Sequence, residues 1–154
     1  MVVEGDEAPD FELPTEEGEI RLHELRGAPV VLYFYPKDDT SGCTAEALSF
    51  EALSREFKAA GVAVIGISPD SVESHAKFRK KHGLTLSLAS DQQKKVAEAY
   101  GVWVEKSMYG RKYMGVERST FFIDRSGKVA KVWRKVKVRG HADAVLKAVR
   151  ELMA

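Results

Sequence analysis

The single cysteine of this chain, Cys43, follows the run Tyr35-Pro36-Lys37-Asp38-Asp39-Thr40-Ser41-Gly42. That run joins an apolar, β-prone segment to a helical pattern and puts the sulfur in the first turn of the helix. Unpaired N–H groups and the positive end of the helix dipole favour an anion there, and a thiolate is one. Gly42 lets the backbone approach a small ligand, because no Cβ intrudes. Thr40 supplies a hydroxyl that can donate to the thiolate or accept from a bound ligand. Pro36 fixes the turn and sets an apolar ring over the pocket. A lone cysteine without such context is more often a small buried hydrophobe, and Thr40 and Ser41 are ordinary N-cap residues. The strand–loop–helix placement and the Pro-x-x-x-Thr-x-x-Cys spacing favour the nucleophile.

A second candidate is Arg118, at the head of Arg118-Ser119-Thr120-Phe121-Phe122-Ile123. An arginine suits a buried strand poorly unless it meets an anion. The bland alternative is an arginine reaching solvent from a strand end. Other chemistries fall away. One cysteine excludes an internal disulfide, a CxxC pair and a cysteine-based zinc site. His23, His75, His82 and His141 include no pair at i,i+4 spacing, so no metal site is expected. The chain has no Gly-rich phosphate loop. Lys135-Val136-Lys137-Val138-Arg139 reads as the solvated face of an edge strand. With 24 Lys+Arg against 23 Asp+Glu, the formal charge is +1, which argues against nucleic acid as a partner. The longest apolar run, Pro29 to Phe34, is far too short for a membrane span. The start, Met1 to Glu7, has neither a basic nor an apolar signal region, so a cytoplasmic location is expected.

The elements that must hold these residues follow from periodicity. At 154 residues, with 44% hydrophobic and 31% charged, the composition is that of one globular domain, assigned to residues 1–154. Pro29 to Tyr35 predicts a strand buried on both faces. Thr44 to Ala60 predicts a helix with Ala47, Phe50, Leu53 and Phe57 inward, ended by Gly61. Val62 to Ile67 is a second strand, and Ser71 to His82 a helix capped by Ser71 and closed by Gly83. Leu84 to Ala89 predicts a strand and Gln92 to Tyr100 a short helix. Arg118–Ile123 and Val129–Val138 form a hairpin around Asp124-Arg125-Ser126-Gly127. The last helix, Ala142 to Leu152, turns Ala144, Val145, Ala148, Val149 and Leu152 to one face. The order βαβαβα then ββα implies an α/β domain with a central mixed sheet, thioredoxin-like in architecture. Phe11–Leu13 and Glu19–Leu22 form an N-terminal hairpin extension.

Pro36-x-x-x-Thr40-x-x-Cys43 resembles the active-site signature of the peroxiredoxins. The longer run Phe34 to Thr44 is similar to their bacterioferritin comigratory protein (PrxQ) branch. Three further segments carry the likeness: Gly5 to Phe11, Gly66 to Ser71, and Gly101 through Met108-Tyr109-Gly110 to Phe121. The resemblance implies a thiol-dependent peroxidase with no cofactor, acting on hydrogen peroxide and alkyl hydroperoxides. It makes Cys43 the peroxidatic cysteine, passing through a sulfenic acid. Thr40 and Pro36 then shape the pocket with Gly42, and Arg118 lies against the sulfur. Thioredoxin or another external thiol is the implied reductant, and a monomer is expected rather than a dimer.

The chain departs from the branch pattern at Ser41, where proline is common, and at Leu48. Many members carry a resolving cysteine five residues after the peroxidatic one, and others carry it on the next helix. This chain has neither, which implies the one-cysteine type. At about 100° per residue, Leu48 lies roughly 160° from Phe50, off the inward stripe. It is either an isolated exposed leucine or part of a docking patch. A thiol-based redox sensor and a non-catalytic thioredoxin-fold binding module remain as alternatives to a peroxidase.

Overall fold

The computed structural model describes residues 2–153. Its middle strand is β3 (Val30–Phe34), buried at all five positions. The other strands of the central sheet are β4 (Ala63–Ser68), β5 (Ser87–Ser90), β8 (Ser119–Ile123) and β9 (Val129–Trp133), in the order β5-β4-β3-β8-β9. β4 runs parallel to β3, and β5 parallel to β4. β8 and β9 are antiparallel, with Val31 opposite Val64 on one side and Phe122 on the other. The result is the mixed thioredoxin-like sheet that the element order implied. Among the described residues the helices are α1 (Ser41–Ala52), α2 (Ser54–Ala59), α3 (Val72–His82), α4 (Lys95–Ala99) and α5 (His141–Met153). The N-terminal hairpin is β1 (Glu12–Thr15) and β2 (Gly18–Arg21), followed by a 3-10 turn at Leu22–Leu25.

Alternation along β3 splits the core in two. Leu32 and Phe34 face a cluster with Phe11, Tyr100 and Phe121. Val31, Tyr33 and Tyr35 face a second cluster with Cys43, Phe50, Phe78 and Val145. Gly66 on β4 decides how the second cluster packs. A Cβ there would come within 2.7 Å of the Tyr33 ring and 2.8 Å of Leu88. The bare backbone lets the Tyr33 ring lie over β4, and that ring stacks on Phe50 of α1 at 4.7 Å. Burying a ring of this size stabilises by roughly 2–3 kcal/mol, so the stack fixes where α1 and its Cys43 sit.

Several boundaries differ from expectation. The helix expected over 44–60 begins at Ser41 and breaks at Leu53, whose ψ of 11° is not helical. The strand expected to reach Val138 stops at Trp133, and Lys135 takes a φ of +49° that a strand cannot hold. α4 is shorter than 92–100 because Lys94 turns to φ +61°. On α5 the inward residues include Ala142 and Leu146, whereas Ala144 is exposed and Leu152 is 53% exposed. The largest miss is a second hairpin, β6 (Trp103–Met108) and β7 (Arg111–Val116), which among the described residues pair only with each other. Its residues alternate poorly because the outer half is exposed on both faces. The available signal was Tyr109-Gly110, both at positive φ, the two-residue turn that matches strand twist.

α5 opens with His141, whose ring packs edge-on against Phe50 and Trp133 and whose Nε2 lies 2.8 Å from Thr120 Oγ1. Burial first, then the Arg118 charge, pushes this imidazole down to about 4. The unfolded chain, with histidine near 6.5, therefore takes up the proton first, and stability falls as pH drops from about 6.5 to about 4. Denaturant titrations of the native chain and His141→Gln at pH 7.5 and 4.5 test this. Over that interval the native chain is expected to lose ~2 kcal/mol more than the variant. Equal losses would remove His141 from the acid response.

Candidate active site

Thr40 is the N-cap of α1 in extended conformation, and Cys43 is the third helical residue. The first intrahelical bond runs from Thr44 N–H to Thr40 O at 2.9 Å. The amides of Ser41, Gly42 and Cys43 therefore have no helical acceptor and are free for a ligand. The Cys43 sulfur is nearly closed off, with 2% of the residue exposed. Arg118 reaches it from the short link between β7 and β8. Its Nη2 donates to Cys43 Sγ at 3.3 Å, and its Nη1 donates to Glu46 Oε1 at 2.7 Å. Arg118 meets an anion-forming group, as a cation at the mouth of a buried strand requires.

Gly42 has a more specific reason than ligand approach. A Cβ at this position would lie 3.2 Å from Arg118 Nη2, so the missing side chain is the path by which the guanidinium reaches the sulfur. Thr40 departs from expectation. Its hydroxyl donates to Lys37 O at 3.0 Å, so the proton is committed and does not reach the thiolate. The oxygen keeps its capacity to accept. Pro36 is partly buried at the start of the same loop. Leu48 is 42% exposed, on the outer side of α1.

Sequence reading missed Glu46, one helical turn after Cys43 and only 1% exposed. Burial pushes its carboxyl up to about 7, with the Arg118 charge and hydrogen bond pulling the other way. Its Oε2 has no hydrogen-bond partner. Burial also works against the Arg118 charge, but Glu46 and Cys43 outweigh it and hold the guanidinium above its usual range. A pair this deep is strict about geometry, since either charge left alone would be costly. Lys106 on β6 adds a second cation. Burial lowers its ammonium, the Arg118 charge lowers it further, and Cys43 and Glu117 oppose that.

The other missed group holds the loop itself. Asp38 is buried, and its Oδ1 accepts from Tyr35 OH at 2.6 Å. Its Oδ2 accepts from Ser74 Oγ at 2.8 Å and lies 2.7 Å from His75 Nδ1. The Asp38 amide donates to Asp70 Oδ2 at 2.8 Å, an oxygen that also accepts from Ser68 Oγ at 2.7 Å. Asp38, Asp70 and His75 place ligand-type atoms within 4.8 Å of one another. Those atoms already serve protein partners, so the cluster ties the β3–α1 loop to α3 instead of cradling an ion. Tyr35 to Asp38 is legible as a local i,i+3 pair. Asp38 to His75, 37 residues apart, carries no sequence pattern.

A buried cysteine at the amino end of a helix, in a thioredoxin-like fold, with a guanidinium on its sulfur, has the parts that a thiol-dependent peroxidase needs. The sequence matches the AhpC/TSA family over residues 4–132. A putative peroxiredoxin bcp of Coxiella burnetii is 51% identical over 143 residues, 92% of this chain and 95% of that protein. Peroxiredoxin Bcp of Bacillus subtilis is 46% identical over 154 residues, covering 99% and 98%. A structure of the Xanthomonas campestris bacterioferritin comigratory protein, solved in a study of its alkyl peroxide reduction activity, superposes with a TM-score of 0.89. It is 45% identical and covers 94% of this chain and 92% of its own. The chain belongs to the AhpC/TSA family, in the peroxiredoxin Bcp (PrxQ) branch.

Asp38→Ala leaves Tyr35 OH, Ser74 Oγ and the His75 imidazole without their common acceptor. A loss of about 2–4 kcal/mol in unfolding free energy is expected. Hydrogen exchange at residues 37–42 is expected to accelerate more than exchange in β3, because the loop is what Asp38 holds. A uniform rise across the chain would assign Asp38 to global stability alone.

Proposed function

We propose that Cys43 is the peroxidatic nucleophile and that Arg118 is its activating and orienting cation. The observation behind this is the 3.3 Å contact from Arg118 Nη2 to Cys43 Sγ, with Glu46 holding the other guanidinium nitrogen. The guanidinium favours the thiolate over the thiol and gives the distal peroxide oxygen a donor. The free amides of Gly42 and Cys43 supply further donors, and the Thr40 oxygen accepts the peroxide proton. Pro36 and Gly42 bound the pocket. Glu46 acts through Arg118 as a positioning residue.

In the reaction the Cys43 sulfur attacks the distal oxygen. An S–O bond forms, the O–O bond breaks, and the leaving oxygen takes a proton to depart as water or an alcohol. Cys43 is left as a sulfenic acid. A thiol from outside condenses with it, releasing water and forming a mixed disulfide. A second thiol breaks that bond, returning Cys43 and leaving the donor as a disulfide. The only cysteine is Cys43, so both electrons come from another molecule. We assign that role to thioredoxin or a similar dithiol protein, with glutathione or glutaredoxin compatible. Hydrogen peroxide and alkyl hydroperoxides both fit an attack that needs only the O–O group. A single domain acting as a monomer in a reducing cytoplasm suits a protein whose one thiol must be regenerated.

Two variants test the assignment. Cys43→Ser is expected to abolish peroxide consumption with the fold intact by circular dichroism, and turnover by the folded variant would sink it. Arg118→Ala is expected to lower the second-order rate constant for hydrogen peroxide by ~10²-fold, the scale of a lost oxyanion donor. An unchanged constant would return Arg118 to a structural role.

A further inference from the structure

We propose that the outer half of the β6–β7 hairpin is the docking site of an acidic dithiol protein that reduces oxidised Cys43. The proposal rests on the peroxidase reading of Cys43 and adds where its reductant binds. Among the described residues, seven large hydrophobic side chains are exposed, and four of them lie on this hairpin: Met108, Tyr109, Tyr113 and Met114. Tyr109, at the turn, is 97% exposed. Two-stranded ribbons are marginal alone in water, and this one pairs with no other strand. Its base is anchored through Val102, Trp103 and Val116, whereas among the described residues none buries its outer half, where 107–114 are all exposed. Tyrosine and methionine are the side chains that interfaces favour: one is rigid and amphipathic, the other adapts to its partner.

Charge selects the occupant. The hairpin carries Lys106, Arg111 and Lys112 against the single carboxylate of Glu105, in a chain whose formal charge is only +1. A second copy docking hairpin to hairpin would bring those cations together, and like-charge juxtaposition is costly. An acidic surface is complementary and is steered in by the same field. The hairpin is also continuous with the catalytic centre. β7 ends at Val116, and Arg118 follows two residues later. The Lys106 stem runs across the bare face of Gly115, where a Cβ would come within 3.3 Å of its Cδ. That path brings the ammonium near enough for Arg118 and Cys43 to act on it. A partner seated on the outer half is therefore held by the same ribbon whose base leads into Arg118 and the sulfur it must reduce.

The test uses the full chain, oxidised with one equivalent of hydrogen peroxide. It is mixed with reduced thioredoxin of net negative charge or with dithiothreitol, and each rate is followed by stopped flow. The charge-reversed double variant Arg111→Glu/Lys112→Glu is expected to slow reduction by thioredoxin about tenfold at low salt, with the gap closing as ionic strength rises. Tyr109→Asn/Met114→Ser is expected to slow it at every ionic strength; asparagine suits the positive φ at the turn. Oxidation by peroxide and reduction by dithiothreitol should stay within about twofold of the native chain, as neither uses the hairpin. Unchanged thioredoxin rates in both variants would overturn the proposal, as would parallel losses with thioredoxin and dithiothreitol. So would a change in sedimentation marking the hairpin as a contact between copies, or native chain that dithiothreitol reduces and thioredoxin does not. Failure of the native chain to consume peroxide even with dithiothreitol is a different result and would remove the peroxidase reading itself.

Discussion

A single guanidinium, shared between a sulfur and a buried carboxylate, is the interaction on which this structure turns. Arg118 holds Cys43 with one nitrogen and Glu46 with another, so two points on α1 are pinned to the link before β8. The arrangement is demanding. Glu46 is so deeply placed that burial lifts it to about 7 even with its partner present. Truncating either charge would leave the other without compensation in the core. The remaining features around the site are conditions for that contact. Gly42 has no side chain because the guanidinium passes there. Phe50 stacks on Tyr33 because α1 must lie at a fixed height over β3. Gly66 is bare because Tyr33 needs the space.

The loop before α1 is secured separately. Asp38 collects a tyrosine from its own loop and a serine and a histidine from α3, and its own amide reaches Asp70. Asp39, at a φ of +60°, is held by Lys81 and His82 at the end of α3. Buried, satisfied polar networks give rigidity and a unique geometry more than net stability. That suits a segment whose free amides have to point at one spot. The same network constrains reduction, because a sulfur with so little exposure is reached by an external thiol only if this loop or its surroundings give way.

Most of the framework was legible in the residues. The β3 run is apolar throughout because the strand is buried on both faces, and that pattern is hard to mistake. Ser71 and Gly83 bound α3 as their chemistry predicts, through a side-chain acceptor and a left-handed cap. The boundaries that slipped have local causes. Leu53 breaks the long helical pattern although its own spacing continues it. The β6–β7 hairpin shows no clean alternation because no face of its outer half is buried. In that segment the turn residues were the better guide than hydrophobic period.

Cys43 and the helix start that carries it are written in the sequence, since spacing alone places a thiol at unpaired amides. Arg118 could be named as a cation in search of an anion, and the family resemblance pointed it at the sulfur, but its other partner, Glu46, could not be read. Glu46 reads as an ordinary helix glutamate, and His75 and Asp38 as ordinary surface residues, until the sheet brings elements tens of residues apart into contact. Local propensity and periodicity act over a few residues and are readable one segment at a time. Burial, and with it the ionisation of Glu46 and the joining of Arg118 to Cys43 across 75 positions, exists only once the chain has closed on itself. Pairing of buried charges is a property of that enclosed environment, and only the tertiary structure decided it.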